Sequence, residues 1–115
     1  MMIRRQQDQS MIVSQGVIAD SYWTRLKGWI GKRQVSPGEG LLLTENNSIH
    51  MWMMCIPIDV VFLSRELTIL KTISNLKPWR LLPVFCWEAS AALELPAGTI
   101  DAQNLKNGEV LCIVS

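Results

Sequence analysis

Apolar and β-branched residues recur along the chain in short runs separated by turn residues, which is the pattern of a mainly β protein. The pattern predicts about seven strands against one helix and one helical turn. That balance favours a small single-domain β-sandwich or a partly closed barrel over alternating β and α units. The predicted strands cover residues 11–19, 40–44, 48–56, 58–63, 67–74, 84–95 and 109–114. The connection Ser64-Arg65-Glu66 is short enough to join the strands at residues 58–63 and 67–74 in a β-hairpin.

The hydrophobic period changes to that of an α-helix only near residues 20–31. Asp20 or Ser21 can cap this helix, and Gly31 supplies a left-handed stop. Gly28 lies inside the predicted helix, so we expect a close backbone approach at that point. The apolar face of the helix is defined by Trp23, Leu26 and Ile30.

The length of 115 residues is that of one domain. Residues 1–10 are mostly polar, and we expect a flexible lead-in there, followed by one β-rich domain over residues 11–115. Near the other end, Thr99 can cap a short helical turn that runs to about Lys106.

Composition and charge exclude several classes of protein. The 11 Lys and Arg nearly balance the 10 Asp and Glu, so we expect no nucleic acid partner. No run approaches the roughly 18 apolar residues of a membrane span, so we expect no membrane partner. The polar start lacks the apolar segment of a signal peptide, and the cysteines have no CxxC spacing. We therefore expect a cytoplasmic protein with reduced, buried thiols at Cys55, Cys86 and Cys112.

Several ordered blocks of the sequence resemble one known family. The blocks are Arg25 with Lys27-Gly28, Gly40-Leu41-Leu42, Ser48-Ile49-His50, Pro57 to Leu63, Leu76 to Arg80, and Leu93 to Thr99. Together they extend from about Ala19 to Val114 and resemble the family called domain of unknown function 192, or uncharacterised protein family 0127. The resemblance implies a β-rich, jelly-roll-like single domain without a settled biochemical role.

Two positions depart from the pattern of that family. Met51 stands where the family usually has Thr, and Cys55 stands where it usually has Lys or Arg. If the basic residue binds an anion in other members, this chain has lost that activity or carries the charge elsewhere.

Asp59 and Glu94 each lie within an apolar strand, where an unpaired charge costs several kcal/mol or shifts its pKa. Both belong to the family-like blocks, so we consider one pocket that holds both, with Arg25 or Arg80 as the charge partner. On a structural interpretation, each carboxylate pairs with an arginine that fixes the register of the layers, or simply faces water. On a functional one, a carboxyl group with a raised pKa acts as a general acid or base.

His50 is the only histidine, and its spacing from Cys55 matches no established metal motif. We therefore expect a hydrogen-bonded histidine in the core or in a pocket, with no metal and no cofactor. Residues 48–56 are apolar on both faces of the predicted strand, which indicates a strand between two packed layers. Trp52 and Met54 then either pack in the core or line a groove for a ligand.

Three functions stay open. The first is a binding or accessory module with a shallow cleft for a small molecule or a peptide, lined by His50, Trp52, Met54, Asp59, Arg25, Arg80 and Glu94. The second is a small hydrolase that uses Asp59 or Glu94 as acid or base, assisted by His50. The third is a structural module that forms a homodimer through an exposed edge strand at residues 111–114.

Overall fold

The computed structural model describes residues 1–114, without the side chain of Tyr22, and these residues form ten strands and two short helices. In chain order the elements are β1 Met2–Arg5, β2 Met11–Val13, β3 Gln15–Ala19, α1 Tyr22–Lys27, β4 Glu39–Thr44, β5 Ser48–Ile49, β6 Ile58–Leu63, β7 Ile69–Leu76, β8 Val84–Phe85, β9 Ala91–Pro96, α2 Thr99–Ala102 and β10 Leu111–Val114.

A five-stranded sheet in the order β3-β4-β9-β6-β7 forms the centre of the molecule. Only β3 and β4 in this sheet are parallel, and the other neighbours are antiparallel. A three-stranded sheet, β10-β1-β2, and a two-stranded sheet, β5-β8, complete the β-structure of the described residues. The predicted mainly β, single-domain fold is confirmed.

The inner strands β4, β6 and β9 of the central sheet are buried on both faces, and their residues alternate between two hydrophobic cores. In β6, Val60 and Phe62 face the first core, which includes Trp29 near the end of α1. Val61 and Leu63 face the second core, together with residues of the three-stranded sheet. Because successive side chains of a strand point to opposite faces, this double burial explains the continuous apolar run in the sequence.

The flexible lead-in predicted for residues 1–10 does not match the structure. Met2–Arg5 forms β1, which lies between β10 and β2 in the three-stranded sheet. Ile3 is buried in the second core, and Arg5 donates a hydrogen bond from Nε to Glu109. One apolar side chain with strand pairing on both sides is enough to fix a segment whose composition is otherwise polar.

Helix α1 begins as predicted but ends three residues before the predicted end at Ile30 and packs differently. The Ser21 side chain caps the helix by accepting a hydrogen bond from the Thr24 backbone N–H. Gly28, with φ of 51°, ends the helix instead of Gly31. Trp23 and Leu26, assigned to the apolar face, are largely exposed, whereas Trp29 beyond the helix is buried. The prediction of an amphipathic helix over residues 20–31 is therefore wrong about its length and its buried face.

Residues 48–56 do not form one buried strand. Only Ser48–Ile49 is a strand, after which Met54 N–H donates to the Met51 carbonyl across a turn. Met53 has φ of 63°, a left-handed conformation that differs from that of a regular strand. The turn buries Met51 and Met54 and exposes Trp52 and Met53, so the predicted alternation along a strand is wrong.

Some of the remaining predictions are confirmed and others are wrong. The hairpin of β6 and β7 and the helical turn α2 are present, although α2 is shorter than predicted. The three cysteines are free thiols, but only Cys86 is buried as predicted, whereas Cys55 is exposed and Cys112 is half-buried. Strand β10 pairs with β1, and residues just before it contact the segment around Thr68. Dimerisation through β10 stays a prediction.

Candidate functional site

An open cavity of about 330 Å³ lies on the first-core side of the central sheet, beside α1. Its walls come from α1 and the residues after it, from the end of β4, from β5 with the turn that follows, and from β9. The lining residues include Arg25, Lys27, Gly28, Trp29, Leu43, Ser48, His50, Met54 and Glu94. We call this space the Glu94 cavity.

Glu94 occupies the wall of this cavity formed by β9. Its register partners are Leu41 on β4 and Val60 on β6, so apolar strands flank it on both sides. The residue is only 4% exposed, and Oε1 has no hydrogen-bond partner among the described residues. Burial raises the pKa of Glu94 to about 7, and a hydrogen bond from the Trp29 backbone N–H opposes that rise.

Gly28 allows the chain after α1 to lie directly against this carboxyl group. A Cβ atom at Gly28 would stand 3.2 Å from Oε2 and 3.4 Å from Oε1 of Glu94. The positive φ of Gly28 also favours glycine. A close approach is present at Gly28, but the glycine lies at the end of the helix rather than inside it, and its partner is the side chain of Glu94.

His50 lines the same cavity from the turn after β5. Its Nδ1 atom is buried and has no hydrogen-bond partner among the described residues. The imidazole lies 5.9 Å from the Trp52 ring, measured between centroids, with the planes tilted by 58°. The sequence suggested a hydrogen-bonded histidine, but in the structure His50 has no hydrogen bond at Nδ1. Two residues that line the cavity, His50 and Glu94, therefore each have a polar atom without a hydrogen-bond partner.

Two further predicted site residues reach the cavity. Met54 is buried and lines it, and so does Arg25. The Arg25 guanidinium donates to the Asp20 carbonyl at 2.9 Å and lies 4.0 Å from the Glu45 carboxylate. The partners of Arg25 are thus Asp20 and Glu45 rather than Glu94.

Asp59 lies on the opposite face of the central sheet. It pairs in register with Leu95, a residue of the second core, whereas its neighbour Val60 pairs with Glu94 and belongs to the first core. One pocket therefore does not contain both carboxyl groups, and the idea of a shared site is wrong.

Backbone groups, rather than an arginine, satisfy the Asp59 carboxylate. Oδ1 accepts the Asn75 N–H at 2.8 Å, and Oδ2 accepts the N–H groups of Gly98 at 3.1 Å and Ile100 at 2.9 Å. Asp59 thereby ties β6 to the end of β7 and to the start of α2. The structural interpretation of Asp59 is supported, with a different partner from the one expected.

Trp52 and Arg80 also lie outside the cavity. Both are exposed, and Arg80 donates from Nε to the Leu82 carbonyl at 3.0 Å. Cys55, which replaces the usual basic residue of the family-like pattern, does not line the cavity. The cationic side chains at the cavity are instead Arg25 and Lys27.

Sequence reasoning missed two contributions to the cavity. The Trp29 backbone N–H that contacts Glu94 carries no sequence signal, since any residue other than proline offers the same donor. Lys27 stood within a family-like block, which is the signal that could have identified it.

A second depression, of about 830 Å³, is lined by residues 5–8 and 104–110. Its acidic groups already have partners, because Asp8 accepts the Ser10 N–H and Glu109 pairs with Arg5. It therefore lacks the unsatisfied groups that distinguish the Glu94 cavity. In residues 1–114, no group of three or more His, Cys, Asp or Glu side chains is arranged to hold a metal ion, and no helix is long and apolar enough to cross a membrane.

Comparison with known proteins points to one family. The model of the family DUF192, described as Uncharacterized ACR, COG1430, matches residues 3–113. A protein of Thermococcus sibiricus described as a UPF0127 protein is 36% identical over 98 residues, which cover 80% of this chain. The chain spans 61% of the length of that relative.

Two crystal structures have the same fold. A protein of unknown function from Novosphingobium aromaticivorans has a TM-score of 0.87 at 17% identity, covering 97% of this chain and 84% of its own. A protein from Sinorhizobium meliloti described as a candidate transcription regulator has a TM-score of 0.80 at 24% identity, covering 96% of this chain and 91% of its own. At these identities the likeness shows the fold alone.

Proposed function

The chain belongs to the DUF192 family, and from that premise we propose that it is a binding module whose site is the Glu94 cavity. The carrying observation is the buried Oε1 atom of Glu94, which has no hydrogen-bond partner among the described residues. A buried polar atom without a partner costs about 1–3 kcal/mol, and more when it is charged. A ligand that donates a hydrogen bond to Oε1 removes that cost on binding.

The size and lining of the cavity restrict the ligand. A volume of about 330 Å³ is at the small end of the range of ligand sites, so a small molecule or one side chain of a peptide fits it. The apolar part of the lining includes Leu43, Trp29 and Met54. The polar atoms without hydrogen-bond partners belong to Glu94 and His50. The ligand class that satisfies both is an N–H group, best a primary ammonium, on a short apolar stem.

A primary ammonium matches this chemistry better than a neutral donor does. It offers three N–H groups, so that it can donate to Glu94 and keep N–H groups for a further acceptor, and its charge complements the ionised carboxylate. Since the pKa of Glu94 is raised to about 7, the carboxylate is ionised mainly above that pH. Binding of an ammonium ligand is therefore expected to strengthen as the pH rises from 6 to 8.

The test is an NMR titration of the ¹⁵N-labelled protein with n-butylammonium, n-butanol and butyrate, which share one stem and differ in the head group. At pH 8 we expect butylammonium to shift the amide signals of Gly28 and Trp29 most, and we expect Glu94→Gln to remove that preference. Glu66→Gln, which removes an equivalent charge from an exposed turn, should bind like the parent protein. Equal shifts with all three compounds, or a preference for butyrate, would contradict the assignment.

A second candidate function, a small hydrolase, rests on the same pKa. A carboxyl group with a pKa of about 7 is suited to general acid–base catalysis near neutral pH, and His50 lines the same cavity. Hydrolysis of p-nitrophenyl butyrate that Glu94→Gln abolishes and Glu66→Gln retains would favour it. Binding of butylammonium without such turnover favours the binding module.

A further inference from the structure

Two neighbouring loops expose a group of large apolar side chains away from the Glu94 cavity. The first is the turn of residues 51–54, and the second is residues 77–83 between β7 and β8. They meet where the Trp52 indole Nε1 donates to the Leu81 carbonyl at 3.1 Å. The exposed side chains are Trp52 at 63%, Met53 at 80%, Trp79 at 72%, Leu81 at 79% and Leu82 at 72%. We call these residues the apolar loop pair.

Several polar groups of this loop pair have hydrogen-bond partners within the protein. The Leu81 carbonyl accepts from Trp52, the Leu82 carbonyl accepts from Arg80 Nε, and the Arg80 N–H donates to the Lys77 carbonyl. Pro78 and Pro83 carry no backbone N–H group at all. A loop that enters an apolar medium needs such internal partners, because water is not there to supply them.

The charged residues in and near the second loop have one sign along the sequence. The sequence between Glu66 and Glu88 contains no acidic residue but contains Lys71, Lys77 and Arg80. Lysine and arginine close to an apolar insertion are attracted by the negative surface potential of anionic lipids. The long stems of these side chains also allow their charged ends to stay in the headgroup layer.

We propose that the apolar loop pair docks this protein on the surface of an anionic lipid bilayer. The expectation of no membrane partner rested on the lack of a spanning segment, and docking in the interface needs none. The side chains extend from loops, and each of them is mostly exposed. Tryptophan and leucine beside basic residues are the combination that the interface between headgroups and hydrocarbon favours.

The test uses vesicles of phosphatidylcholine alone and of equal parts phosphatidylcholine and phosphatidylglycerol, with co-sedimentation and tryptophan emission as readouts. The parent protein should sediment with the anionic vesicles, show a blue-shifted emission, and dissociate at high salt. Leu81→Ser with Leu82→Ser should weaken the partition by roughly thirtyfold or more, given the apolar area of two leucines. Lys77→Gln with Arg80→Gln should weaken it roughly twentyfold at low salt.

The matched control is Val17→Ser with Ile18→Ser, which removes two exposed apolar residues of β3 at the far edge of the central sheet. This variant should partition like the parent protein. No sedimentation with either vesicle, or equal sedimentation with both, would overturn the proposal. The proposal would also be overturned if size-exclusion chromatography showed that the parent protein self-associates, that Leu81→Ser with Leu82→Ser abolishes the self-association, and that the parent protein does not bind vesicles. The loop pair would then form an interface with a second copy of the chain.

Discussion

Asp59 and Glu94 are both buried carboxyl residues, yet their surroundings differ in the number of donors. Asp59 accepts three backbone N–H groups, from Asn75, Gly98 and Ile100. Glu94 leaves one oxygen without a partner and borders a cavity. The number of hydrogen-bond donors around each carboxyl therefore separates a structural role from a candidate binding role.

Replacing Asp59 by Asn should destabilise the fold without touching the cavity. The Asn side chain keeps one acceptor oxygen but presents an NH₂ group toward backbone N–H donors, which leaves at least one buried donor unsatisfied. We expect the free energy of unfolding in urea to fall by about 3 kcal/mol. Asp101→Asn, an exposed position on α2, serves as the control. An Asp59→Asn variant as stable as the control would show that the three hydrogen bonds contribute little.

Glu94 should make the stability fall as the pH rises. Its pKa is raised from 4.5 to about 7 by burial, so folding favours the protonated form. The stabilisation is complete below pH 4.5, the ordinary value, and is lost as the pH rises through about 7. Over that window the free energy of unfolding of the parent protein, relative to Glu94→Gln, should decrease by about 3 kcal/mol.

The check is urea unfolding of both proteins between pH 4 and pH 8, since the difference between them removes the contributions of the other titrating groups. A difference that stays constant across this range would mean that the pKa of Glu94 is the same in the folded and in the unfolded protein. The binding proposal would then lose its predicted pH dependence.

At the scale of elements, the end of α1 is set by tertiary contact. Local sequence favoured continuation to Gly31, but the chain turns at Gly28 so that its backbone can rest on the Glu94 carboxyl group. The Ser21 cap, by contrast, depends only on residues within one turn of the helix and was visible in the sequence.

Gly28→Ala should therefore cost more than the same change at Gly31. Both glycines have positive φ, at 51° and 81°, so both variants carry backbone strain. Only at Gly28 does the new methyl group meet the Glu94 oxygens, whereas nothing lies within 4 Å at Gly31. We expect Gly28→Ala to lower the free energy of unfolding by about 1–2 kcal/mol more, measured in urea. Equal losses would show that the helix end can move away from Glu94 freely.

The turn of residues 51–54 shows the same limit of local reasoning. Its apolar residues fit a doubly buried strand, because hydrophobicity alone does not say whether a side chain faces a core or solvent. The left-handed Met53 and the Trp52 bond to Leu81 depend on where the second loop lies. The sequence therefore identified these residues as an unusual stretch, but the strand and the burial predicted for them were wrong.

Over the whole molecule, the central sheet divides the interior into two cores. Asp59 and Glu94 differ by one residue in register, since Val60 pairs with Glu94 and Asp59 with Leu95. A shift of one residue places side chains on opposite faces. This difference of one residue in register places Asp59, the structural carboxylate, on the side of the second core and Glu94, the candidate binding residue, on the side of the first core.

The terminal strands close the second core. β1 pairs with β10, which joins residues 2–5 to residues 111–114. Composition suggested a loose lead-in because the segment has few apolar residues, but Ile3 and backbone pairing are sufficient to order it. The match to the family begins at residue 3, in agreement with a structural part for this strand.

By itself the sequence determined the mainly β class, the β6–β7 hairpin and the family, and it limited the cap of α1 to Asp20 or Ser21, since these depend on local periodicity, side-chain capping and ordered motifs. It also identified Asp59 and Glu94 as residues that need partners, because burying a carboxylate is costly wherever it occurs. Only the tertiary structure decided which partners they have. Strand register and the path of distant loops determine which donors reach each oxygen, and neither is encoded within a few neighbouring residues.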